Sequence, residues 1–189
     1  MARAGLSPDA VREAAIAVLD ADGPHALTLA RVAAQTGVAV PSLYNHVKGL
    51  DGLRLTVAIR VVNELADRVG EAVQGRSRED AVSALMFAYR GYAVEHPHRY
   101  EAIPQGLGED PALQAAGDRV LQPILAALRG YDLPDSEVVH AARCVRAAAH
   151  GFATLQAGGG FQFSADLDTS YTAFIRMVTD GLAQWKHHL

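Results

Sequence analysis

Disulfide chemistry is closed to this chain, because its 189 residues include one cysteine, Cys144. That count suits a reducing compartment. Cys144 lies in an apolar helical run and is expected to be a small core residue, not a reactive thiol. A continuous stretch of about 18 or more uncharged apolar residues is also missing, which argues against a membrane-spanning helix. The opening MARAGLSPDA has no apolar core of the signal-peptide kind, so a cytoplasmic location without a membrane partner is expected. Charge of one sign is lacking as well. The net charge is −4, and the first 55 residues set Arg3, Arg12, Arg31, Lys48 and Arg54 against Asp9, Glu13, Asp20, Asp22 and Asp51. Bulk electrostatics therefore point to no polyanionic partner, and any such role must rest on local arrangement.

Catalytic signatures are missing too. There is no Gly-x-Ser-x-Gly elbow, and Gly158-Gly159-Gly160 ends a helical run where a phosphate loop would open one. The histidines invite a metal-hydrolase reading, but His96 and His98 flank a proline and His140 and His150 stand ten residues apart. None forms the i, i+4 pair around a glutamate that a helix-borne zinc site needs. Neither an enzyme, nor a metal site, nor a cofactor is expected.

What the chain has is helical periodicity. Ser7-Pro8-Asp9 offers an N-cap, a proline at the first helical position and an acid in the first turn, followed by Val11, Ala14, Ala15, Val18 and Leu19 on one face. Asp22-Gly23-Pro24 ends that helix. Thr28 caps a second helix with Leu29, Val32 and Ala33 inward, and Gly37 stops it. A short third helix is expected from Ala39 to His46, with Pro41 in its first turn, where an amide hydrogen has no intrahelical partner to lose. Beyond Lys48-Gly49 a fourth helix carries Leu53, Val57, Ile59, Val61, Leu65 and Val69 to about Gly70. The polar break QGRSRED is followed by helical segments expected at 79–96, 109–129, 135–157 and 168–188. No useful strand alternation or internal repeat occurs, so the chain reads as all-α. The domains are expected at 1–52 and 53–189.

Two helices joined at a steep angle by a glycine turn have the geometry of a helix-turn-helix, whose second helix enters the DNA major groove. With Leu43 and Val47 packed inward, Val40, Pro41, Ser42, Asn45 and His46 are left to face outward. Asn bonds adenine bidentately, Ser and His bond bases or phosphate, and Val40 or Pro41 suits a thymine methyl. Thr28, Tyr44 and Lys48 are better placed for phosphates, which position a protein without specifying sequence. On the residues alone, a plain helical hairpin with a solvated outer face remains the competing account.

Residues 8–55 resemble the N-terminal DNA-binding domain of the TetR family of transcriptional repressors, most closely through LTLARVAAQTGVAVPSLYNHVKGLDGL. The specific part is Gly-Val-x-x-x-Ser-Leu-Tyr-x-His-Val-Lys, here Gly37 to Lys48. The resemblance implies that Val40, Pro41, Ser42, Asn45 and His46 approach bases while Tyr44 and Lys48 hold phosphates. Many relatives carry a lysine where this chain has Leu50. The stretches AYRGYAVEHPHRYEAI and RAAAHGFATLQAGGGF resemble a subgroup with a Trp-His-Gly signature, in which Ala149 stands at the tryptophan position before His150-Gly151.

The same resemblance implies an N-terminal three-helix DNA-binding domain, a connector helix, and a C-terminal helical domain that both dimerises and binds an effector. Tyr171, Phe174, Ile175, Val178, Leu182 and Trp185 form one apolar stripe, and Val138, Ala141, Val145, Ala148, Phe152 and Leu155 another. Two such helices from each subunit would make a four-helix dimer interface, unless both stripes are used within one subunit. For the effector, Met86, Phe87, Tyr89, Tyr92, Tyr100, Phe152 and Phe161 supply apolar and aromatic surface, and Arg90, Arg146 and His150 supply polar anchors. The function implied is a homodimeric repressor on a near-palindromic double-stranded DNA operator, released by a small-molecule effector. The alternative is a helical small-molecule-binding dimer that no longer binds DNA specifically.

Overall fold

The structure is a computed structural model and describes residues 6–185. Arg3 and the last turn expected at 186–188 lie outside the described residues. Among the described residues every regular element is helical: α1 (Pro8–Asp22), α2 (Leu29–Thr36), α3 (Val40–Leu43), α4 (Gly49–Val73), α5 (Arg78–Glu95), α6 (Pro97–Glu101), α7 (Pro111–Leu128), α8 (Asp135–Ala157) and α9 (Leu167–Ala183), with 3-10 turns at Pro24–Ala26 and Arg129–Tyr131. The chain divides into two compact units. One holds the residues up to Val62 together with His96–Gln114, and the other holds Asn63–Glu95 together with the chain from Ala115 on. The first unit therefore runs past residue 52 along α4 and takes back a later segment, α6.

In the first unit, Ser7 caps α1 by accepting the Ala10 amide at 3.1 Å. The buried side of α1, including Val11, Ala15 and Leu19, meets Val32 of α2, Leu43 of α3 and Leu53, Val57 and Val61 of α4 in a core where none of these is more than 1% exposed. Burying each of the valine and leucine side chains contributes about 1.5–3 kcal/mol. The five-residue α6 is too short to show a period and was not expected past His96-Pro97. Tertiary contacts hold it on α1. Arg99 donates from Nε and Nη2 to the two Asp20 carboxylate oxygens at 2.7 and 2.6 Å, and His98 Nδ1 lies 3.1 Å from the Asp20 carbonyl oxygen. The guanidinium hydrogen bond holds the Asp20 carboxyl below its ordinary range.

The second unit is organised on α5, which packs against both α8 and α9. Contact on several sides explains why α5 buries Ala81, Val82, Leu85, Met86, Tyr89, Tyr92 and Ala93 instead of a single stripe. The latter half of α4 is tied to α5 by Arg68, which donates to both Glu95 oxygens at 2.5 and 2.6 Å, and by Tyr92 OH donating to Glu64 at 2.9 Å. Gly91 allows that approach, since a Cβ there would meet Arg68 Nη2 at 2.8 Å. Arg119 of α7 donates to Asn63 and Asp67 of α4.

Three expectations need correction. Cys144 is exposed, because α8 buries Ala141, Ala142, Val145, Ala149 and Ala153, and position 144 falls off that face. The third helix is regular only from Val40 to Leu43, after which Tyr44 and His46 bond three residues back, to Pro41 and Leu43, and wind into turns. The last helix stops at Ala183, where the Gln184 cap amide bonds Asp180.

The turn between α2 and α3 depends on Gly37, which is left-handed at φ 68°, ψ 29°. Replacing Gly37 by Ala is expected to lower stability by about 1–2 kcal/mol. Urea denaturation followed by circular dichroism checks this as a fall in midpoint at constant slope.

Candidate nucleic-acid interface and effector region

The helix-turn-helix is built from its closures. Thr28 accepts the Arg31 amide at 3.3 Å and starts α2, while the Arg31 guanidinium pairs with Asp22 at the end of α1. At the other end, the Gly37 amide bonds the Ala34 carbonyl and the Val38 amide bonds the Ala33 carbonyl at 3.0 Å. This is the pair of closing bonds that a left-handed residue after a helix permits. Thr36 adds its hydroxyl to the Val32 carbonyl at 2.9 Å. The chain leaves in extended conformation at Ala39 and re-enters a helix with Pro41 in the first turn.

Burial then sorts the winding from 40 to 48. Leu43 is fully buried and Val47 nearly so. Pro41, Tyr44, Asn45 and Lys48 are exposed, Tyr44 to 59%, and their spacing of i, i+3, i+4, i+7 follows one face of a helical turn. Thr28 is exposed beside the α2 N-terminus. Val40, Ser42 and His46 are half-buried at the edges of that face. A 59% exposed tyrosine ring next to an exposed lysine and a carboxamide makes a surface suited to a phosphate backbone and base edges.

In the second unit, the expected effector residues do not all converge. Met86, Phe87, Arg90 and Phe152 gather around Tyr171, which the sequence reading places only in an apolar stripe, and Phe161 stacks on Phe152. The Arg90 guanidinium lies 4.9 Å from the Tyr171 ring centroid and 5.6 Å from that of Phe152. It donates to Asp168 at 2.7 Å and to Gln156 at 2.6 Å. Phe152 stacks near Tyr171, Phe161 and Phe174 at 4.5, 4.7 and 6.0 Å between centroids, and Phe87 meets Tyr171 edge-on at 5.5 Å. The Tyr171 hydroxyl donates to the Met86 carbonyl at 2.8 Å, and burial pushes its ionisation well up, so it stays a neutral donor. Asp168 and Gln156 had no signal in sequence, since their partner is 78 and 66 positions away.

The remaining candidates lie elsewhere. Tyr89 is buried on α5, Tyr92 is committed to Glu64, and Tyr100 is buried on α6 of the first unit. Arg146 is exposed on α8, with His150 half-buried one turn on and 3.5 Å from the Thr154 hydroxyl. The dimer stripes divide in the same way. Ala141, Val145 and Leu182 are buried within the single chain, where α8 and α9 pack on α5. Val138, Ala148, Phe174 and Val178 are half-buried, and Trp185 is too, with its indole donating to Glu137 at 3.1 Å. Leu155 is 52% exposed, as are its neighbours in kind Val139 at 51% and Met177 at 71%.

A helix-turn-helix with an exposed second winding, followed by a separate helical unit, defines a DNA-binding regulator of transcription. Comparison with known proteins gives the family. Residues 11–54 match the description "Bacterial regulatory proteins, tetR family", and residues 82–178 match "Tetracyclin repressor-like, C-terminal domain". An uncharacterised HTH-type transcriptional regulator of Mycobacterium tuberculosis is 36% identical over 98% of this chain and 85% of its own, and one of Bacillus subtilis is 31% identical over 95% and 94%. The fold is shared with a Rhodococcus protein of unknown function (TM-score 0.82, 23% identity, 97% and 98% of the two chains). It is shared too with BioQ solved with its double-stranded DNA operator (TM-score 0.72, 20% identity, 95% and 99%). The chain belongs to the TetR family of transcriptional regulators.

Burial, with the nearby Arg146 charge adding to it, holds the His150 pKa below its ordinary value of 6.5. The unfolded chain therefore takes up this proton first, and acidification below about pH 6.5 works against the folded state. His150→Gln is expected to lose that part of the acid sensitivity. Urea midpoints at pH 7.5 and 5.5 should differ less for the variant than for the wild type.

Proposed function

We propose that this regulator is a homodimeric, ligand-responsive repressor that binds a near-palindromic operator and is released by a small-molecule effector. The observation that carries the reading is the exposed row Pro41, Tyr44, Asn45 and Lys48, set out beyond the left-handed Gly37 turn while Leu43 and Val47 anchor it from behind. Asn45 reads a base edge. Ser42, His46 and Val40 contribute at its margin, and Thr28, Tyr44 and Lys48 hold phosphates. Two copies of this surface then enter successive major grooves about 34–36 Å apart. The solved BioQ operator complex supports this use of the fold.

Dimerisation is assigned to the outward side of α8 and α9, where Leu155, Phe174, Val178 and Trp185 continue into exposed Val139 and Met177. Single exposed apolar residues are ordinary, but several on two adjoining helices suit a subunit contact. The effector is assigned to the second unit, where Arg90 supplies a buried cation among aromatic rings. Release requires the effector to prefer the dimer that no longer fits DNA, and a hundredfold loss of operator affinity needs about 2.7 kcal/mol of such preference. The helix α4 contributes residues to both units and is the natural carrier of that change. The site of action is the cytoplasm.

Selection of random duplex DNA by the purified protein, followed by sequencing, tests the reading. A recovered palindrome is expected, and no enrichment from folded, dimeric protein would reject it in favour of a ligand-binding dimer without specific DNA recognition. On the recovered site, Asn45→Ala should cost about 1–3 kcal/mol and relax preference at one base pair. Lys48→Ala should weaken binding to every sequence and flatten the slope of log affinity against log salt by about one unit. Fluorescence anisotropy over a salt series reads both.

A further inference from the structure

A cleft of about 420 Å³ opens in the first unit, between the 3-10 turn before α2, the start of α4, and the segment from α6 to α7. That volume is within the range of small-molecule sites. Its floor is apolar, with Leu27, Val57 and Leu113 each no more than 5% exposed. Its rim is polar and carries His25, Arg54 and Glu101. The rim charges are not equally matched inside the cleft. Glu101 lies 4.0 Å from His25, a charge pair only when that histidine is protonated. Arg54 has Asp51 at 3.7 Å, but Asp51 is 97% exposed on the same helix and does not line the cleft. An exposed pair at that distance is weak, so the guanidinium remains open to a bidentate anion at the edge of an apolar floor.

We propose that this cleft is a small-molecule site for an amphipathic monoanion, whose apolar body lies on Leu27, Val57 and Leu113 and whose carboxylate pairs with Arg54. Every lining residue belongs to the first unit, and none is among the residues assigned above to the effector. Leu27 immediately precedes Thr28, the cap of α2, so an occupant touches the chain one residue before the helix-turn-helix begins.

Isothermal titration calorimetry on the full chain, with octanoate and its neutral analogue 1-octanol as probes, tests the proposal. Arg54→Gln is expected to weaken octanoate about tenfold, the loss of one charge-assisted pair, and to leave 1-octanol unchanged. Ala102→Phe, which places a ring into the cleft from its half-exposed wall, is expected to abolish both. Should that variant lose its helical circular dichroism, the comparison of the two probes on Arg54→Gln still decides. Absence of octanoate binding to folded wild-type protein would overturn the proposal, as would octanoate binding that Arg54→Gln leaves intact. No readout involves DNA, so failure here is distinct from failure of operator recognition.

Discussion

Gly37 has to adopt a backbone conformation that costs a residue with a Cβ about 1–2 kcal/mol, and the geometry of the helix-turn-helix follows from that one torsional state. In the left-handed region its amide and that of Val38 close the carbonyls of Ala34 and Ala33, so two of the last acceptors of α2 are satisfied and the chain turns away at once. Only then does Ala39 run extended and Pro41 begin a new winding. The apolar pair Leu43 and Val47 fixes the rotation of that winding by entering the core. The exposed row is what is left over once those two are buried.

Around this turn, charge pairs locate elements that hydrophobic burial alone would leave loosely placed. Arg31 ties the start of α2 to the end of α1, and the two-pronged Arg99–Asp20 contact holds α6 on α1. Partly exposed pairs of this kind add modest stability. Their geometric effect is larger, because a planar guanidinium on a carboxylate sets direction as well as distance.

The second unit solves a different problem, the burial of a cation. Arg90 is only 9% exposed, and an unpaired charge there would be strongly unfavourable. Asp168 accepts from its Nη1 and Gln156 from its Nε, and the rings of Phe152 and Tyr171 cover its face. This gives α5, α8 and α9 a shared polar centre within a mostly apolar core.

Local signals in the chain were sufficient for α1, α2, α5, α7 and α8, because caps, breakers and helical period act within a few residues. They were sufficient as well for the Gly37 turn and for the division of Leu43 and Val47 from Asn45 and Lys48. The sequence by itself thus determined the all-helical class and which residues of the winding after Gly37 are buried and which are exposed. It did not determine where α3 stops, since the change to three-residue hydrogen bonding after Leu43 leaves no mark in composition. Nor could it show α6, which is held by Asp20 about 80 positions away, or the outward turn of Cys144. The Arg90 cluster, the split of the two apolar stripes and the cleft beside Leu27 were decided by tertiary structure alone. Each depends on which side of a helix meets another helix, and that choice is made by residues distant in the chain.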